Sequence, residues 1–252
     1  AAVLDEEEKE AGVAIVDIGG GTTDIAVFYD SIIYHTAVIP FGGNIITEDI
    51  RQGCSIIKKH AEEIKVKFGS AVASENSEDE VVSIPGMRGR EAKEISFKNL
   101  AYIIQSRLEE IFDLVNFEIQ KVNSNHKLIA GIVLTGGGSM MKHIAQLAEF
   151  KTGMEVRLGN PNESLAKSTD DLSSPMYSTG IGLVIEGFAK YESDVKRGVV
   201  SDENKNIGIR RSEPEEQEKP AKTEKPKSER FSIKDIITGF TGFFKQEDLD
   251  KN

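Results

Sequence analysis

Val13-Ala14-Ile15-Val16-Asp17-Ile18-Gly19-Gly20-Gly21-Thr22-Thr23-Asp24-Ile25-Ala26-Val27-Phe28-Tyr29 is the stretch on which the fold turns. Its first six residues form a short, near-continuous apolar run, the pattern of a buried strand. Three glycines end that run, and Thr22 to Tyr29 reads as a strand returning beside it. Glycines at such a turn keep side chains out of the way, so successive backbone N–H groups can point at phosphate oxygens. Asp17, at the strand end, is placed to hold a magnesium ion through water, and the Thr22 and Thr23 hydroxyls can add phosphate contacts. Asp24 reads as a cap on the turn. The same composition also makes an ordinary tight hairpin, and the stretch alone leaves both readings open.

Upstream, Ala1 to Glu10 has the character of an acidic helix end, with Glu6-Glu7-Glu8 a solvated face and Gly12 its stop. Downstream, Ser31 to Pro40 reads as a third strand that completes a meander. Gly42-Gly43 closes it, and Asn44 is expected to cap one long helix through Ile45, Ile46, Ile50, Cys54, Ile57, Ala61, Ile64 and Phe68. Glu80 to Ile84 and Glu91 to Phe97, around Pro85-Gly86, read as a hairpin insertion. From Ser96 a second long helix carries Leu100, Ile103, Ile104, Leu108, Ile111, Phe112, Val115 and Ile119 on one buried stripe.

Leu128 to Thr135 is a further buried strand ending in Gly136-Gly137-Gly138-Ser139, with a helix expected over Met140 to Thr152. Glycines directly before a helix let a nucleotide approach the backbone near the positive end of the helix dipole. A plain strand-to-helix turn has the same composition. Glu155 to Leu158 reads as a short strand, and Tyr177 to Tyr191 as a helix of small residues.

The chain has 252 residues, 38% of them hydrophobic, a net charge of −11 and a pI near 5.0. This balance supports one substantial core and offers no cationic stripe, so nucleic acid is not an expected partner. The single cysteine, Cys54, has no thiol or histidine neighbour at metal spacing, and it reads as a small buried helix residue in a reducing compartment. No stretch reaches the roughly 18 to 20 apolar residues of a membrane span, and no signal peptide opens the chain, which is expected to be neither secreted nor spanning. It begins at Ala1 rather than Met, and is expected to be a fragment or processed product.

Glu62 and Lys65 share one helix face in Ala61-Glu62-Glu63-Ile64-Lys65, where an exposed ion pair contributes little. Taken in order, the Asp17-to-Asp24 hairpin, this helix segment and Thr135-Gly136-Gly137-Gly138 are similar to the phosphate, ribose and adenosine motifs of the actin, MreB, FtsA and DnaK superfamily. Val16 to Val27 and Ile39 to Ile50 most resemble the bacterial FtsA cell-division family, with MreB-like cell-shape proteins the nearest rival. The resemblance implies an α/β, actin-like (ribonuclease H-like) ATPase lobe that binds ATP and Mg2+. It places Asp17 by the magnesium and the attacking water, and Gly19, Gly20, Gly21, Thr22 and Thr23 around the phosphates. Glu62 and Lys65 match the ribose pair, and Gly136, Gly137, Gly138 and Ser139 the adenosine turn. Residues 1–60 and 126–192 correspond to subdomain 2A and 61–125 to subdomain 2B, where the family docks the tubulin-like protein FtsZ. The family's first phosphate hairpin has no counterpart here, so hydrolysis by this stretch alone is not expected.

Residues 193–230, rich in Glu, Lys, Pro and Ser, read as a disordered linker. Beyond it, Ile233, Ile236, Ile237, Phe240, Phe243 and Phe244 fall on one face of a helix over 231–245, with Lys234 and Lys245 beside them. That pattern suits a helix lying on anionic lipid. The resemblance completes the expectation: a filament-forming protein on the cytoplasmic face of the inner membrane that tethers FtsZ at the division site. The alternatives are a sugar kinase of the same fold, an MreB-like filament and a chaperone-type ATPase.

Overall fold

The computed structural model describes residues 2–86, 91–123, 127–161 and 170–197. The linker from 198 onward and the whole expected membrane helix, Ile233 to Phe244, lie outside the described residues.

A short helix, α1 (Glu6–Ala11), opens the fold behind a reciprocal cap. The Glu8 N–H donates to Asp5 Oδ1 at 2.7 Å, and the Asp5 N–H donates to Glu8 Oε2 at 3.2 Å. Gly12 then leads into β1 (Val13–Ile18), β2 (Thr23–Tyr29) and β3 (Ile32–Ile39), the expected meander. With β6 (Ile132–Thr135) and β7 (Val156–Leu158) they form one sheet in the order β3-β2-β1-β6-β7. The β1–β2 and β2–β3 pairs are antiparallel, and β1–β6 and β6–β7 are parallel.

Strand β1 lies at the centre and is covered on both faces, which is why its sequence is almost continuously apolar. Ala14, Val16 and Ile18 belong to the main core with Ile25, Val27, Ile46 and Ile50. Helix α4 (Phe97–Asn123) brings Leu100, Ile104, Leu108, Ile111, Phe112, Val115 and Ile119 to that core, the stripe expected from the sequence. On the other face Val13 packs with Leu4 and Val133. Val81–Ile84 (β4) and Lys93–Ser96 (β5) form a separate antiparallel hairpin.

The single helix expected from Asn44 to Phe68 is two helices, α2 (Gly43–Gly53) and α3 (Lys58–Phe68). The apolar spacing continues through the break, but the backbone does not: Ser55 takes φ 49°, a left-handed value that no helix continues through. Gly53 explains the close approach there, because a Cβ on it would stand 2.9 Å from Ile103 Cδ1 on α4. Cys54 is buried at the end of α2, and burial pushes its thiol pKa up, with Lys93 opposing. Asn44 is not the cap; Gly42 flanks the helix in an extended conformation.

Two further boundaries move. The strand expected from Leu128 begins at Ile132, because Gly131 turns with φ 66° where a Cβ would meet Glu155 O at 2.2 Å. The helix expected from Met140 is a 3-10 turn (Gly137–Met140) followed by α5 (Ile144–Thr152), separated by His143 at φ 62°. Helix α6 (Ser178–Lys196) runs past the Tyr191 end expected for it.

Candidate functional site

The Gly19–Gly21 loop is held from below by the start of α2. Gly43 N–H donates to Gly19 O at 2.9 Å and Asn44 N–H to Gly20 O at 2.7 Å. Gly19 N–H closes the turn on Thr22 O at 2.9 Å. The first amides of α2 are thus spent on the loop's carbonyls, which fixes the loop's shape and leaves its upper side open. At the turn's far end Asp24 Oδ2 accepts from the Thr22 hydroxyl at 3.0 Å.

Beside this loop, α2 and α3 lock together through Lys65, whose side chain is only 10% exposed. Its ammonium reaches Glu62 Oε2 at 2.8 Å, Gly43 O at 2.9 Å and Thr47 Oγ1 at 2.9 Å, so all three of its protons have acceptors. The Thr47 hydroxyl, fully buried, reaches Glu62 as well. Burial acts to raise the Glu62 pKa, but hydrogen bonds from Lys65 and Thr47 outweigh it and hold the carboxyl below its usual range. The sequence left this pair as a surface ion pair or a ligand contact; the structure makes it a partly buried network with its carboxylate edge toward solvent.

A cleft of about 360 Å³ opens here. It gathers Gly19 and Gly20 from the first loop, Glu62 and Lys65 from α3, and Gly137 and Gly138 from the second glycine turn. Met140, Met141, Met176, Val66 and Asn44 also line it. The glycines divide sharply by what a side chain would meet. A Cβ on Gly136, at φ 83°, would stand 2.1 Å from Asp17 Oδ1, and one on Gly138 2.3 Å from Ile18 Cγ2. Those two glycines serve close packing of the turn on β1. By contrast, a Cβ on Gly20 would find its nearest neighbour at 3.5 Å, one on Gly137 at 4.0 Å, and one on Gly21 nothing within 4 Å. None of these three has a positive φ. The protein's own packing does not require glycine at any of them.

The other expected site residues lie around the cleft rather than in it. Thr23 is fully buried, and its hydroxyl donates to Phe41 O at 2.8 Å; it serves the fold and faces no phosphate in this conformation. Ser139 is buried with its hydroxyl on Gly136 O at 2.8 Å. Asp17 pairs in register with Asp24 on one side and Thr135 on the other. Its carboxylate accepts from the Thr179 hydroxyl at 2.6 Å and lines a second, open cavity between the sheet and α6. Sequence reasoning missed Thr47, Thr179 and Met176. A threonine among the isoleucines of α2 was the one available signal; the other two reach the site only through the tertiary fold.

The family profile described as "Cell division protein FtsA" matches residues 14–182. The chain is 42% identical over 197 residues to the cell division protein FtsA of Pseudomonas aeruginosa, covering 78% of this chain and 47% of that one. It is 44% identical over 184 residues to its counterpart in Neisseria meningitidis, covering 73% and 44%. For Escherichia coli K12 the figures are 38% over 209 residues, 79% and 50%. The chain therefore spans about half the length of the relatives it matches. Among solved structures it is similar to MreB 5 of Spiroplasma citri bound to AMPPNP, with TM-score 0.57, 24% identity and coverage of 80% and 57%. It is also similar to the PilM–PilN type IV pilus biogenesis complex, with TM-score 0.55, 18% identity and coverage of 72% and 47%. The α/β fold around its central sheet is the actin-like ATPase fold. On the match of the family profile and the identity to three curated relatives, the chain belongs to the FtsA family of cell-division proteins.

Proposed function

We propose that this chain forms one wall of an ATP–Mg2+ site, and that the whole protein is an actin-like cell-division ATPase that tethers FtsZ filaments to the inner membrane. The observation that carries the nucleotide reading is the room at Gly20, Gly21 and Gly137, where the fold tolerates a Cβ and the sequence keeps none. Such room beside a polar, partly buried Glu62–Lys65 edge fits a ligand whose phosphates press against backbone. The likeness to MreB 5 bound to AMPPNP supports the same reading.

The fit assigns roles by position. Gly19, Gly20 and Gly21 cradle the phosphates, and Gly137 and Gly138 floor the adenosine end. Glu62, held ionised, accepts from the ribose hydroxyls, and Lys65 fixes its position. Thr22 stands at the phosphate loop's exposed end, while Thr23, Gly136 and Ser139 shape the turns. Asp17 orients water near the metal, and Thr179 orients Asp17. The magnesium ion supplies charge neutralisation at the phosphates, held through water by Asp17.

Residues 1–60 and 126–192 act as subdomain 2A and 61–125 as subdomain 2B, the docking surface for FtsZ. The expected linker loses its first residues to α6, which runs to Lys196, and the chain from there to residue 230 acts as the linker to the membrane helix at 231–245. Copies of the whole protein assemble into a filament on the cytoplasmic face at the division site. The acidic balance offers no cationic face for nucleic acid, which has no part in this reading.

The test contrasts the two classes of glycine, each substitution being made in the whole protein. Gly20→Ala and Gly137→Ala should fold with melting temperatures close to wild type and lose about tenfold or more in affinity for a fluorescent ATP analogue. Gly136→Ala should lower the melting temperature instead, because a left-handed turn and a short contact are both violated. Full nucleotide affinity in Gly20→Ala and Gly137→Ala together would remove the basis of the proposal.

A further inference from the structure

The chain contains five methionines, and three of them, Met140, Met141 and Met176, line the one cleft just described. Met154 packs against the core instead. Met140 and Met176 are also 53% and 58% exposed, and the Ser174 hydroxyl lies 3.4 Å from the Met140 sulfur. Met176 stands over Gly137, its Cγ being the nearest atom to where a Cβ on that glycine would sit. Both side chains therefore reach solvent at the cleft, and Met176 does so over its glycine floor. Val66, 72% exposed, adds a third apolar side chain to the lining.

We propose that Met140 and Met176 are oxidation sites through which a hydroperoxide controls entry of nucleotide to this cleft, an inference that rests on the nucleotide reading above. In the step, a lone pair on the thioether sulfur attacks one oxygen of hydrogen peroxide. The S–O bond forms, the O–O bond breaks, and the departing hydroxide takes the remaining proton to leave as water. Sulfur loses two electrons, and peroxide gains them. The product is a sulfoxide, polar and chiral where a flexible apolar arm had been, and it is reversible by methionine sulfoxide reductases. A thioether adapts to the face of a base by dispersion. A sulfoxide oxygen pressed against the same face loses water at a free-energy cost that the thioether does not carry, and on Met140 the Ser174 hydroxyl, already beside the sulfur, is the donor that competes to hold it.

The experiment treats the whole protein that contains this chain with hydrogen peroxide, maps oxidised methionines by peptide mass spectrometry, and titrates treated and untreated protein with a fluorescent ATP analogue. Met140 and Met176 should oxidise before Met141 and Met154, and affinity should fall about tenfold in step with them. Methionine sulfoxide reductase should restore it. In the Met140→Leu/Met176→Leu variant, peroxide should leave that variant's own affinity unchanged. Oxidation at both residues without loss of affinity, earlier oxidation of Met154, or peroxide sensitivity persisting in the double variant would each overturn the proposal. A whole protein that fails to bind before treatment overturns the nucleotide reading and this inference with it, an outcome visible before any peroxide is added.

Discussion

At the scale of single residues, the cleft depends on a carboxylate kept ionised in a half-buried place. Glu62 sits below its usual pKa because two donors, the Lys65 ammonium and the Thr47 hydroxyl, outweigh its desolvation. A carboxylate with a depressed folded pKa contributes stability above its unfolded value, near 4.5, and that contribution is lost as pH falls through the lower, folded value. Urea unfolding followed from about pH 6 down to about pH 3 should therefore show wild type losing stability more steeply than Glu62→Gln. Parallel curves for the two proteins would mean that the network is not coupled to folding. The Glu62 and Lys65 spacing was legible as one helix face. Its burial was not, because Thr47 reaches it only after the chain breaks between α2 and α3 and folds the second helix back. Thr23 shows the reverse: its hydroxyl type suited a phosphate contact, but strand alternation turns it inward to the Phe41 carbonyl.

At the scale of elements, α4 is the beam against which the others are set, and its attachment to α2 is polar as well as apolar. The Arg107 guanidinium makes a two-pronged contact with Asp49, Nε to Oδ2 at 2.6 Å and Nη2 to Oδ1 at 3.0 Å, and stands 5.9 Å from the centre of the Phe41 ring. Both partners are mostly shielded, with side-chain exposures of 22% and 26%. A pair in that setting is worth more than a surface one: Arg107→Gln should cost about 1.5–3 kcal/mol, by analogy with hydrogen bonds to charged groups. Chemical denaturation of Arg107→Gln, Asp49→Asn and the double variant gives the coupling directly, and strictly additive effects would deny the pair any such role. The existence of α4 was plain from its long apolar stripe. The break at Gly53 to Ile57 was not, since the apolar spacing runs through it unbroken while the decisive contact, Ile103 against Gly53, comes from a helix far along the chain. The same holds at His143, where one left-handed residue ends a glycine turn and starts α5.

At the scale of the whole molecule, what was legible was the order of motifs, since glycine turns after buried strands advertise themselves in any context. Their gathering into one cleft needed α3 to lie beside the first turn, which no periodicity states. The remaining question is attachment to lipid, for which the sequence from Phe231 to Lys245 is the basis and for which no helix among the described residues is long and apolar enough to cross a membrane. In the interfacial helix proposed for residues 231–245, six large apolar residues on one face, flanked by Lys234 and Lys245, would supply both a dispersive and an electrostatic attraction to an anionic bilayer. Gly239 and Gly242 would weaken such a helix in water, so the proposal couples its folding to binding. Each phenylalanine side chain transferred from water contributes about 1.5–3 kcal/mol, so replacing one with a charge should lower partitioning by about tenfold or more. Phe240→Glu/Phe243→Glu should therefore leave the folded lobe's melting temperature unchanged while abolishing co-sedimentation with vesicles containing anionic lipid. Raising the salt should weaken wild-type binding only in part, because the apolar component is not screened. Undiminished sedimentation of the double variant would place the contact with lipid elsewhere in the chain.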